Sequence, residues 1–239
     1  MMAHNRKRFT RASPGDRREA LIAGTLSLIA EQGIGGATVR AIAERAEVTP
    51  GLIRHYFSTK EDLLSAAYAR HMSDLTDATR RQVAPDGRQH GNAVLRLSRF
   101  VSASLRPPVV SVRAVSLWAG FLTLVQRDTR MRDTHARTYR EFRDHLEELI
   151  GAALAESGRS PPPAALRRHA IACNAVIDGL WLEGGVLPSE FSADELERLG
   201  LDSVGAILGL PLTAPEKPRP IGKAATRDNR SPAEHEDRP

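Results

Sequence analysis

Arg54, His55 and Tyr56 follow one another in a short helical pattern whose other side chains, Ile53 and Phe57, lie four apart and share the opposite face. An outward Arg, His and Tyr on so short a helix is chemistry for a polyanion rather than for solvation alone. A guanidinium at Arg54 can pair with the acceptors of a guanine edge, Leu52 can press on a thymine methyl, and Thr49 can hydrogen-bond to a base. Pro50 occupies a first helical position, where no amide hydrogen is required, and Gly51 removes a side chain at a point of close approach. Arg17, Arg18, Thr38, Arg40, His55, Tyr56 and Lys60 are the candidates for phosphate contacts, which position a protein on a duplex without reading it. A lone histidine can equally be packed, but Ile53 and Phe57 already fill the inward face. Tyr56 can bury its ring and keep its hydroxyl wet.

These residues need two helices set at an angle. Thr38, Thr49 and Ser58 are start signals, with side-chain oxygens able to accept from the orphan amides of a first turn. Val39, Ile42, Ala43 and Ala46 form a buried stripe about two turns long, Glu47 and Val48 make the turn, and the Pro50 helix follows. Ser58 with Glu61 reads as a capping box opening the next helix. Two helices joined by a short turn make a helix-turn-helix, a major-groove reader. Upstream, Asp16 is the expected cap of a first helix with Ile22, Leu26 and Ile29 inward and Gly33 at its end. The Gly33–Gly36 run is a helix-ending loop: it has neither the preceding strand nor the Lys of a phosphate-binding loop.

Arg17 to Leu64 resembles the DNA-binding domain of the TetR family of bacterial transcription regulators, with Thr38, Ile42-Ala43, Ala46, Val48, Gly51, Tyr56-Phe57 and Lys60-Glu61 at the family's separations. His55-Tyr56-Phe57, and more loosely Asp178-Gly-Leu-Trp181 within about Val110 to Leu187, look most like the BetI branch, choline-responsive repressors of glycine betaine synthesis genes. That resemblance implies a homodimer releasing a palindromic operator when a small effector binds the C-terminal domain. It also implies that the last two long helices pair with their copies, holding two reading heads about 34 to 36 Å apart. Leu52 and Arg54 depart from the smaller polar residues usual in that branch, so an operator sequence does not carry over.

The expected fold class is all-α, an N-terminal three-helix helix-turn-helix domain plus a C-terminal helical ligand-binding and dimerisation domain. Divisions fall at residues 1–15 (flexible basic arm), 16–62 (DNA-binding), 63–211 (effector-binding and dimerisation) and 212–239 (disordered tail). The arm carries Arg6, Lys7, Arg8 and Arg11 and is either solvated or reaches phosphate or a minor groove. A long helix runs from Ser58 to about Val83, and Pro85-Asp86-Gly87 marks the domain boundary. Further helices are expected near Gln89 to Arg106, Val110 to Arg127, Arg130 to Ser157, Pro163 to Leu187 and Ala193 to Leu208.

In the body, Phe100, Trp118, Phe121, Tyr139, Phe142 and Trp181 offer ring faces that suit a quaternary ammonium, with Asp178 or Glu183 as counter-charge. For any single ring the plainer reading is core filler. Cys173, Val176, Ile177, Leu180 and Leu187, with small Gly179, Gly184 and Gly185, form one apolar stripe, and Leu196, Leu199, Val204, Ile207 and Leu208 another; either belongs to a dimer interface or to the internal core.

The chain of 239 residues is 41% hydrophobic but only 5% aromatic, with few alternating β-branched runs, which favours helices. A net charge of +5 suits a polyanionic partner. One cysteine excludes an internal disulfide. No apolar run opens the chain and none reaches the ~18 residues of a membrane span, so a cytoplasmic protein is expected. There is no His-Glu-x-x-His or Gly-x-Ser-x-Gly motif and no cysteine cluster, so neither an enzyme nor a metal or other cofactor is expected. The alternatives are a TetR-type sensor of an unrelated drug or metabolite and a helical module that recognises another protein.

Overall fold

The computed structural model describes residues 13–83, 92–192 and 194–213. Among them the chain forms nine α-helices and no strand: α1 (Pro14–Gly36), α2 (Val39–Arg45), α3 (Pro50–Tyr56), α4 (Lys60–Val83), α5 (Ala93–Ser104), α6 (Val112–Val125), α7 (Thr129–Glu156), α8 (Pro163–Val186) and α9 (Glu195–Leu208). The expected arm and tail lie, from residue 12 back and from residue 214 on, outside the described residues, as does Pro85-Asp86-Gly87.

Three start signals need correction. α1 is capped by Ser13, not by Asp16: the Ser13 hydroxyl accepts from the Asp16 amide at 3.1 Å and the Asp16 carboxylate accepts from the Ser13 amide at 2.9 Å, so Pro14 and Gly15 belong to the helix rather than to an arm. α4 is opened by Thr59 with Asp62, one residue beyond the expected Ser58 and Glu61, through the same reciprocal pair of bonds at 3.0 Å each. Either pair satisfies the Ser/Thr-x-x-acid pattern, and the register is decided by where Phe57, buried as the C-cap of α3, leaves the chain. Thr49 stands at the N-cap of α3 in an extended conformation but makes no capping bond with its side chain. At Gly33 the backbone turns to φ 71° and ψ 179°, a left-handed excursion that glycine takes without strain, and one more helical turn follows to Gly36.

Two apolar clusters organise the chain. One gathers the inward faces of α1 to α4, including Leu21, Ile29, Ile42, Ile53, Phe57, Leu63 and Tyr68, and is closed from the body side by Leu117, Phe121 and Met131 of α6 and α7. Ile42 is fully buried there, so truncating it to alanine would cost about 2 to 5 kcal/mol. The other gathers α5, α7, α8 and α9 around Phe100, Leu146, Ile150, Leu154, Cys173 and Leu208. The reading head is thus seated on the body through α4, α6 and α7 rather than hinged on a bare linker.

Ion pairs fasten the same joints. Arg45 of α2 takes both oxygens of Glu31 of α1 at 2.7 and 2.8 Å, and holds the Glu31 carboxyl down at about 2. Arg70 of α4 bonds Glu19 of α1, and Arg130 of α7 bonds Asp62 at the start of α4. Arg106, after α5, pairs with Glu197 of α9, whose side chain is 1% exposed.

Candidate nucleic-acid interface and ligand cavity

On α3, Ile53 and Phe57 are 2% and 5% exposed, whereas Pro50, Gly51, Arg54 and His55 are exposed and Leu52 and Tyr56 half-buried. Helical geometry alone forces this partition, because positions 53 and 57 point to the head core and 54 and 55 away from it. Tyr56 packs against the head core, and its ring meets the His55 ring edge-on at 5.1 Å. Thr38 caps α2 by accepting from the Ala41 amide at 3.2 Å, which leaves its hydroxyl hydrogen to donate. Arg40 and Thr49 are exposed beside it, and Lys60 is half-buried at the first position of α4.

Charge on this face is distributed in a telling way. Among the described residues Arg17, Arg40, Arg54 and Lys60 take part in no ion pair, whereas Arg45, Arg70 and Arg130 on the flanks are each matched to an acid. Unmatched cations can neutralise phosphates without first breaking an internal bond. Arg18 differs: its guanidinium lies 5.1 Å over the Phe57 ring and 3.7 Å from Glu19, so it buttresses the end of α3.

Behind the head a cavity of about 240 Å³ opens between α4 and α8. α4 supplies Met72, Leu75, Thr76 and Thr79; α6 supplies Trp118; α7 supplies Tyr139 and Phe142; α8 supplies Ile177, Asp178, Gly179, Trp181 and Leu182; Ser104 and Val109 close the end. Five of the candidates (Trp118, Tyr139, Phe142, Asp178 and Trp181) therefore share one space. Phe100 and Phe121 do not. Each is fully buried: Phe100 is wedged between Phe142 and His145 in the body core, and Phe121 lies against Tyr68 where head and body meet. Of the two candidate counter-charges, Asp178 lines the cavity and Glu183 is turned to solvent.

Among the described residues Asp178 is the one ionisable carboxyl in that wall. Tyr139 donates to its Oδ2, and Asn174 Nδ2 donates to the same oxygen at 2.8 Å. Burial nevertheless pushes its pKa up to about 7, since two donors do not replace a lost hydration shell. The indoles of Trp118 and Trp181 meet at 84° with centroids 5.6 Å apart, and Trp181 Nε1 donates to the Val109 carbonyl at 2.8 Å. Two ring faces at right angles beside a carboxylate form a corner complementary to a compact cation. Tyr139 also stacks obliquely on His135 at 5.1 Å, and His135 Nδ1 is 2.6 Å from the hydroxyl of Tyr68 in α4.

The dimerisation candidates separate as well. Cys173 and Ile177 are buried within the protomer, and burial pushes the Cys173 thiol up to about 12; Leu180 and Ile207 pack half-buried on the body core, and Val176 is half-buried. Of those candidates only Leu199 is exposed. The exposed apolar positions of α8 are Ile171, Ala172, Ala175 and Val186, with Gly179 and Leu182, which also line the cavity, between them. α8 is apolar nearly all round, so its sequence offers two stripes and no local means of ranking them. Also missed were the α4 residues of the cavity wall. Their signal was present: Met72, Leu75, Thr76 and Thr79 recur at i, i+3, i+4 and i+7 after the head has ended.

Described residues that are helical without a strand, with a small helix-turn-helix head whose cations Arg40 and Arg54 are exposed and unmatched, define a DNA-binding regulator by class. The chain belongs to the tetR family of bacterial regulatory proteins, matching that family's N-terminal domain over residues 21–67 and the C-terminal domain of BetI-type transcriptional repressors over residues 93–209. It is a transcription regulator, not an enzyme. It is 31% identical over 195 residues to the HTH-type transcriptional regulator BetI of Burkholderia thailandensis, an alignment covering 80% of this chain and 93% of that one. A transcriptional regulator from Pseudomonas aeruginosa PAO1 superposes with a TM-score of 0.75 at 28% identity, covering 84% and 95% of the two chains. A regulator from Saccharomonospora viridis solved in complex with choline superposes at 0.64 and 22% identity over 79% and 95%, which establishes a shared fold. Among the described residues no helix is long and apolar enough to cross a membrane.

Proposed function

We propose that this protein is a homodimeric repressor that grips a palindromic operator through two copies of the α2–α3 face and lets go when a small cation occupies the cavity. The observation that carries this reading is the course of α4. Its first turn, at Lys60, follows the end of α3, and further along the same helix Met72, Leu75, Thr76 and Thr79 form a wall of the cavity. A ligand that favours one setting of α4 over another therefore acts on the head through a single rigid element, and a few kcal/mol of differential affinity suffices to shift the population.

In this reading Arg54, Leu52 and Thr49 read bases, while Arg17, Thr38, Arg40, His55, Tyr56 and Lys60 hold phosphates. Arg18 keeps the end of α3 in place. The dimer forms through the exposed apolar side of α8, with Leu199 of α9 beside it. Asp178 and the two indoles take the positive charge, and choline is the first cation to try because a regulator of this fold was solved with it.

The test is fluorescence anisotropy on a palindromic duplex and on a scrambled one across a salt series, with and without choline. Operator preference of at least ~10³, a steep salt dependence and release by the cation support the reading. Equal affinity for both duplexes at every salt concentration removes it.

A further inference from the structure

We propose that the ligand of the α4–α8 cavity is an amphiphilic monocation: a compact ammonium head seated against Asp178 and the Trp118–Trp181 corner, with an apolar chain extending to Met72 and Leu75 of α4. This rests on the reading of the cavity as a cation sensor and specifies what kind of cation it senses.

Size is the first reason. An apolar cavity of about 150 Å³ is filled by benzene, with six heavy atoms. At 240 Å³ this one accepts about ten on the same scale, well beyond an ammonium nitrogen and its methyl groups. A head alone would leave the α4 end empty, with its lining short of contacts.

The second reason is where polarity sits. Asp178 and Tyr139 belong to α8 and α7, and Trp118 and Trp181 stand with them. The α4 wall has two hydroxyls, but Thr76 donates to the Met72 carbonyl at 3.1 Å and Thr79 to the Leu75 carbonyl at 3.2 Å. Ser104, also in the lining, likewise donates to the Phe100 carbonyl at 2.8 Å. Their hydrogens are committed to their own helices, so this wall presents no free donor to a ligand, and the rest of it is methyl, thioether and isobutyl surface. Among the described residues no Lys, Arg or His lines the cavity. A carboxylate or phosphate on the far end of the ligand would be buried without a counter-charge, which is costly. A hydrocarbon chain there meets only favourable contacts.

The experiment is isothermal titration of the full-length protein at pH 8 with n-alkyltrimethylammonium ions, from tetramethylammonium to octyltrimethylammonium, beside choline and its uncharged carbon isostere 3,3-dimethylbutan-1-ol. Affinity is expected to climb about fourfold per methylene, which is ~0.8 kcal/mol at 1.4 kcal/mol per decade, and to level off once the chain reaches α4. Leu75→Gln should abolish the gain from the chain, so that octyltrimethylammonium binds the variant no more tightly than tetramethylammonium does, and a far-ultraviolet circular dichroism melt at the parent midpoint shows that the variant is folded. Asp178→Asn should weaken every cation about tenfold or more relative to the neutral isostere, erasing the preference for charge. Cations that bind with no dependence on chain length overturn the amphiphile and leave the cation sensor standing. If no cation binds more tightly than the isostere, both fall.

Discussion

Tyr139 donates its hydroxyl to the Oδ2 of Asp178, tying α7 to α8 at the wall of the cavity and leaving the carboxylate as an acceptor among rings. A hydrogen bond to a buried charged group is worth about 1.5 to 3 kcal/mol. Tyr139→Phe removes a donor that favours the charged form, so Asp178 should hold its proton to higher pH, and cation affinity at pH 7 should drop about tenfold or more. Calorimetry at pH 6, 7 and 8 checks this; a variant that binds like the parent at all three excludes the role.

Asp178 also makes stability depend on pH. Its carboxyl titrates near 7 in the folded chain against an ordinary 3.8, so between those values the folded state holds a proton that the unfolded state has lost. The folded state binds more protons there, and stability from this group falls as pH rises from about 4 to 7. Asp178→Asn should therefore stabilise the ligand-free protein at pH 8 by on the order of 2 kcal/mol and have little effect at pH 4. Urea titrations at the two pH values decide it, and a benefit confined to pH 4 would reverse the assignment.

Arg54 is exposed and matched to no acid among the described residues. Arg54→Ala should weaken operator binding by about 1 to 3 kcal/mol and relax selectivity at one base position, whereas Arg40→Ala should weaken operator and random duplex alike and lower the salt slope by about one per contact. Competition gel shifts against single-base operator variants distinguish the two, and identical profiles would contradict the division of labour.

Ile171 is 41% exposed on the outward side of α8 and lines no cavity wall. Ile171→Asp should change the stability of the isolated protomer by no more than about 0.5 kcal/mol, yet place like charges across the two-fold axis and convert the proposed dimer to monomer. Light scattering on a sizing column reads the mass directly. A variant that elutes at the parent mass would move the interface elsewhere.

Arg106 is the ionic partner that the buried Glu197 carboxylate has in α5's flanking loop. Arg106→Ala should cost about 3 to 5 kcal/mol by stranding that charge, and adding Glu197→Gln should recover part of the loss. Denaturant melts of the single and double variants test this, with equal midpoints for parent and single variant as the contrary result.

The linear order of residues was enough to define everything that depends on local periodicity. Ile53 and Phe57 go inward and Arg54 and His55 outward because a helix repeats every 3.6 residues whatever surrounds it, and the breaks at Pro107-Pro108 and Gly158 are written in backbone chemistry. Only the tertiary structure decided which of several equivalent faces met a neighbour. Phe100 and Trp118 are both aromatic residues on amphipathic helices, yet one is sealed by Phe142 and His145 while the other borders the cavity, a difference set by the helices that pack against each. α8 is apolar on both sides, and contact with α7 and α9 buries Cys173 and Ile177 and leaves Ile171 and Val186 outside. Burial is a relation between elements distant in the chain, and Asp178 acquires its raised pKa in the same way, from walls that its own neighbours in sequence do not supply.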